Sequence, residues 1–140
     1  MEDNIKTGKL LSLNLKKEEA QSKITNATKL LYLVAGINLL FGVFNYLSSG
    51  IIIILILSAI LSLIVFGLGL WSRKSPFTAI LIAFIFLGGL FTIDFMNYQQ
   101  LSLLGIAFRI AVLLTLIFGL YNVMLAKKII KEYNELAGTE

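Results

Sequence analysis

Residues 94–109 read Asp-Phe-Met-Asn-Tyr-Gln-Gln-Leu-Ser-Leu-Leu-Gly-Ile-Ala-Phe-Arg. The polar turn at its centre, 97–100, separates two apolar runs at 77–96 and 101–126. A bilayer core about 30 Å thick needs about 20 helical residues at about 1.5 Å each. Each run is long enough to cross it, so the turn belongs at a membrane surface. Upstream, two further runs at 30–47 and 51–71 meet at Ser48-Ser49-Gly50. The expected fold is therefore all-α: an integral membrane four-helix bundle made of two antiparallel hairpins. It forms one membrane domain over 1–140, with polar tails at 1–29 and 127–140.

Composition agrees. Hydrophobic residues make up 58% of the 140, charged residues 14%, and mean hydropathy is +0.89; a soluble domain carries about 25% charged residues. The first run begins after a tail of about 30 residues and lacks an Ala-x-Ala cleavage site, unlike a removable signal peptide. There is no cysteine and no histidine. Disulfides, thiolate metal sites and cysteine nucleophiles are excluded, and the commonest general base and metal ligand is missing.

From about Leu15 the amino-terminal tail has helical spacing, with Glu19 and Lys23 as an i,i+4 pair in the favourable order. Ala20, Ile24, Ala27 and Leu31 form a stripe leading into the first span. Ahead of it, Leu11, Leu13 and Leu15 alternate with polar residues, which suits either a short extended segment or the lead into that helix. In the first span Ala35, Asn38, Gly42 and Asn45 share one face; small and amide residues there suit interhelical contact in lipid. Ser58 and Ser62, continued by Gly67, suggest the matching face of the second span. Ser75 and Pro76 are an N-cap and a first-turn proline for the third. That span carries Ala79, Ala83, Gly88 and Gly89, and the fourth carries Gly105, Thr115, Gly119 and Asn122. Ile129, Tyr133 and Leu136 stripe a helical carboxyl-terminal extension, so amphipathic helices are expected at both ends.

Every lysine and arginine except Arg109 lies in the two tails or at Arg73 and Lys74. The positive-inside rule then places both termini in the cytoplasm of a multi-pass protein. The Asn26-Ala27-Thr28 sequon falls on that side and is discounted. Tyr32, Trp71 and Tyr121 are expected at the inner interface, and Tyr46 and Tyr98 at the outer one. The charge of +4 is explained by topology and by anionic lipid headgroups near the cytoplasmic lysines. The expected partners are thus the bilayer, those headgroups, and a second copy or another membrane protein, with no nucleic acid.

A parallel internal repeat is also suggested. A constant offset pairs Gly36 with Gly88, Asn45-Tyr46 with Asn97-Tyr98, Ala59 with Ala111, and Phe66-Gly67-Leu68 with Phe118-Gly119-Leu120. It maps Gly42 onto Asp94, which would turn Asp94 into the bundle.

Asp94 and Arg109 are the only charges within the apolar runs. An intramembrane charge costs about 2.5–3.5 kcal/mol on insertion scales, so it is normally paired, buried or functional. Counting helical rise from the turn puts them about 7 Å and about 15 Å below it, with Asn45 and Asn38 at matching depths on the first span. Asn38, Asn45, Asp94 and Arg109 are therefore the candidate intramembrane polar cluster. Three readings stay open: a structural ion pair with amide support, a site for an anion, an anionic headgroup or a proton, and a contact with another subunit.

Catalytic chemistry finds no support. A second intramembrane carboxylate is lacking, the serines have neither histidine nor intramembrane lysine to activate them, and metal-ligand spacing is absent. No cofactor is expected. The chain reads as a non-enzymatic membrane subunit or scaffold acting through helix packing. The alternative is a small channel or transporter for an ion or anionic solute, built on the Asp94 and Arg109 cluster.

Overall fold

The computed structural model describes residues 1–97 and 103–138, without the side chains of Asp94 and Asn97. Among the described residues there are four helices and no strand: α1 (Glu2–Ser49), α2 (Ile52–Trp71), α3 (Pro76–Asn97) and α4 (Leu103–Leu136). All four are long and apolar enough to cross a membrane. Large apolar side chains point outward along them, with Ile53, Leu63, Ile85 and Phe118 all more than 60% exposed. Such a surface is stable in hydrocarbon and not in water.

Helix α1 is one element of 48 residues, about 72 Å long. No proline interrupts it and Glu2 and Asp3 occupy its first turn, where acidic groups complement the helix dipole. The extended alternative for the leucine-rich stretch at 11–15 is therefore wrong; the alternation there belongs to a helix. Gly50 ends α1 in the left-handed region at φ 70°, its N–H donating to the Tyr46 carbonyl at 2.7 Å. Ser49 and Ser48 donate from Oγ to the Asn45 and Phe44 carbonyls one turn back, so their hydroxyls are satisfied within the helix. α2 closes similarly: fully buried Ser72 donates from Oγ to the Gly69 carbonyl at 2.6 Å. Pro76 is the first residue of α3, and the Ala79 N–H reaches the Ser75 carbonyl at 3.0 Å.

Helix α1 packs most extensively on α2 and α4, and α3 lies mainly on α4. Along the α4 side of α1, Leu13, Ala20, Ala27 and Val34 recur every seventh residue, each 9% exposed or less. On α4, Gly105, Val112, Gly119 and Ala126 recur at the same interval and are buried, with Leu116 and Val123 between them. On α2 the seam is half-buried Ser58 with buried Ser62, Val65 and Gly69, continued just past the helix end by Ser72. Alternating steps of three and four keep one stripe facing a supercoiled neighbour, and small side chains let the backbones approach. Leu31, Val34, Val65, Ile80, Leu87 and Leu116 fill the middle.

Three packing expectations change. Gly67 does not continue the Ser58–Ser62 face: it looks onto open space, and Gly69 takes the role against Tyr32. Five residues beyond Ser62 is well off the stripe, whereas seven returns to it. Gly89 is likewise open. Tyr32 is not simply an interfacial aromatic. Its ring lies between α1 and α2, 5.2 Å from Phe66, whereas Trp71 and Tyr121 are exposed. The suggested repeat also pairs residues in unlike settings, since Gly67 is open and Gly119 is wedged between Leu30 and Ile80.

The tails pack together. Ala20 and Ala126 are fully buried, and Lys17 Nζ sits 4.4 Å from the centre of the Tyr133 ring. Ile24 and Ile129 are half-buried, while Leu136 is exposed. Glu19 and Lys23 form the expected pair at 3.5 Å.

Candidate functional site

Arg109 lies on the buried stripe of α4, one turn from Gly105 and Val112. Position 108 is a phenylalanine that stacks on Phe41 of α1, ring centres 4.6 Å apart and planes 8° from parallel. Asn38 and Asn45 stand one turn either side of Phe41 on the same helix. The structure thus brings Asn38, Asn45 and Arg109 to the level of one aromatic stack, all three half-buried. Asp94 is on α3, and its side chain lies outside the described residues, as does Tyr98.

The Arg109 guanidinium carbon lies 5.4 Å from the centre of the Phe91 ring on α3. That is within the range where an aromatic face attracts a cation. Around it α3 and α4 leave a cleft of about 320 Å³, walled by Gly88, Phe91 and Phe95 on one side and Ile106, Ile110 and Leu113 on the other. The cleft follows from how α3 is packed. Ala79, Ile80, Ala83 and Leu87 are fully buried, but from Gly88 onward the described side chains are half-buried or exposed. Thr92, at the rim, donates to the Gly88 carbonyl at 2.8 Å and so presents little polarity of its own.

A second polar feature lies between α1 and α2. Tyr32 Oη, Asn38 Nδ2 and Ser62 Oγ are buried and make no hydrogen bond within the described structure. Unmade hydrogen bonds in a hydrocarbon setting are costly, so this seam can accept a water or a polar group. Asn38 was legible as an intramembrane amide. Ser62 was visible only as a small residue and Tyr32 only as an interfacial aromatic, because their burial depends on what α1 and α2 bring opposite them.

No protein-family model, no curated protein and no solved structure matches this chain.

Proposed function

We propose that the protein is a non-enzymatic multi-pass membrane subunit or scaffold acting through helix packing and through the paired ends of α1 and α4. The observation that carries this reading is the continuous seam between those helices. It runs from the Phe41–Phe108 stack within the apolar segments to the Lys17–Tyr133 contact beyond them. The bundle centre is filled by Leu31, Val65, Ile80 and Leu116, which supports a packed element over a conduit.

The proposed arrangement is two antiparallel hairpins. Contacts in opposite sequence order support it. On α1 and α2, Tyr32 meets Gly69 and Gly42 meets Ser58; on α3 and α4, Phe77 meets Lys127 and Phe91 meets Arg109. With four crossings both termini lie on one side, and the lysine distribution argues for the cytoplasm. The tail lysines, among them Lys6, Lys9, Lys127 and Lys128, then face anionic headgroups or a partner's acidic surface.

Purification in mild detergent, paired with flux measurements in vesicles, tests this. A stoichiometric second copy or membrane partner, with no flux above empty vesicles, is the expected result. An ion or anion flux that disappears in Arg109→Gln would replace it with the transport reading.

A further inference from the structure

We propose that one buried water molecule binds between α1 and α2 at mid-membrane, hydrogen-bonded to Asn38 Nδ2 and Ser62 Oγ and tying the two helices together. The site rests on the hairpin arrangement and the bilayer placement proposed above. Two contacts set the register. Gly42 of α1 lies against Ser58 of α2, and Tyr32 lies against Gly69. One turn from the first contact toward the second, the two helices bring Asn38 and Ser62 to the same level and the same pair of faces. The next step along each stripe reaches Ala35 and Val65, 4% and 0% exposed. The polar pair is therefore flanked on one side by the close Gly42–Ser58 contact and on the other by Ala35, Val65 and the Tyr32–Phe66 rings.

Hydroxyl chemistry singles out Ser62. Thr28, Ser48, Thr92 and Thr115 each donate to the carbonyl four residues back in their own helix, a common arrangement for a helical hydroxyl. Ser62 Oγ makes no such bond although Ser62 is only 7% exposed, and Asn38 Nδ2 at the same level is also buried without a hydrogen bond. Ser62 stands ten residues from Ile52 and nine from Trp71. In a bilayer, bulk water is out of reach at that depth, and leaving both groups unpaired is costly. A water donates twice and accepts twice. It receives the Asn38 N–H and donates to Ser62 Oγ, with the Ser58 hydroxyl one turn away available as a third partner. The bridge holds in either orientation of the Asn38 amide, because water and hydroxyl both donate and accept.

The test is nuclear magnetic resonance of isotope-labelled protein in nanodiscs of deuterated lipid. It reads magnetisation transfer from water to the Asn38 side-chain amide, whose signal is assigned by its loss in Asn38→Ala. The expected result is a cross-peak with the sign of a long-lived bound water, weakened about fivefold in Ser62→Ala, the scale of one net hydrogen bond. Ser62→Ala removes a single oxygen and adds no bulk to the seam, so this variant folds. A wild-type protein without the water cross-peak overturns the site, as does a cross-peak unchanged in Ser62→Ala. The chain has no cysteine, so the facing of the two residues is checked separately with Asn38→Cys and Ser62→Cys in one chain. Mercuric ion should bridge those two thiols, and should not bridge Asn38→Cys with Leu63→Cys, since Leu63 is 69% exposed on the outer side of α2. Bridging without a wild-type water cross-peak defeats the water site alone. Failure to bridge 38 with 62 defeats the hairpin arrangement with it.

Discussion

A Cβ added at Gly42 would fall on the side chain of Ser58, whereas one added at Gly67 would meet nothing. The same residue type therefore has opposite mutational consequences on neighbouring helices. Gly42→Leu should cost about 1–3 kcal/mol or more by forcing α1 and α2 apart. Gly67→Ala should be neutral or stabilise by up to about 1 kcal/mol, because alanine loses less backbone freedom in a helix. Unfolding in mixed micelles, followed by circular dichroism, checks both. Arg109 calls for a different comparison. In a structural pair, removing one member leaves the other's desolvation cost without its attraction. Arg109→Gln and Asp94→Asn should then each destabilise the bundle and the double change recover part of the loss, as a double-mutant cycle measures. A folded Arg109→Gln protein that has lost a measurable flux would falsify the structural reading of Arg109.

The tail contact is a property of α1 and α4 as elements. Ala20 and Ala126 are fully buried and leave no room, so Ala20→Leu should spread the two helices beyond the apolar segments. Ile24→Ser with Tyr133→Ser should raise protease sensitivity of both tails while membrane insertion is unchanged; unchanged cleavage would mean that the contact contributes nothing in solution. Lys17→Gln should cost only about 0.5–1 kcal/mol, the value of a solvent-accessible cation–aromatic contact. The sequence already showed the Ala20, Ile24 and Ala27 stripe, because spacing on one helix needs no partner to be read. Whether the stretch at 11–15 was helical could not be read there: five alternating residues fit both a strand and an exposed helix turn. Uninterrupted hydrogen bonding from Glu2 onward resolves it as helix.

For the whole molecule the decisive measurement is sidedness. A cysteine at Ser49 should react with an impermeant reagent from outside, and one at exposed Ser12 only after permeabilisation. Labelling of both from one side would overturn the proposed fixed orientation. The packing also predicts where the molecule is loosest. Buried positions on α3 stop at Leu87, so amide exchange in reconstituted vesicles should be faster over 88–97 than over 76–87.

The sequence by itself determined that the chain holds four helices long and apolar enough to cross a membrane, and that Arg109 stands inside one of them. These follow from lengths, compositions and charges along a single strand of text, and hydrocarbon leaves the backbone few alternatives to helix. Only the tertiary structure decided which glycines are contacts. Gly42 and Gly69 are close approaches and Gly67 and Gly89 are not, since rotation about the helix axis relative to a neighbour is not written in either sequence. It also decided that Tyr32 turns inward and that the fully buried positions of α3 end at Leu87. The cleft beside Arg109 was not legible either, since its walls come from two helices whose facing depends on packing.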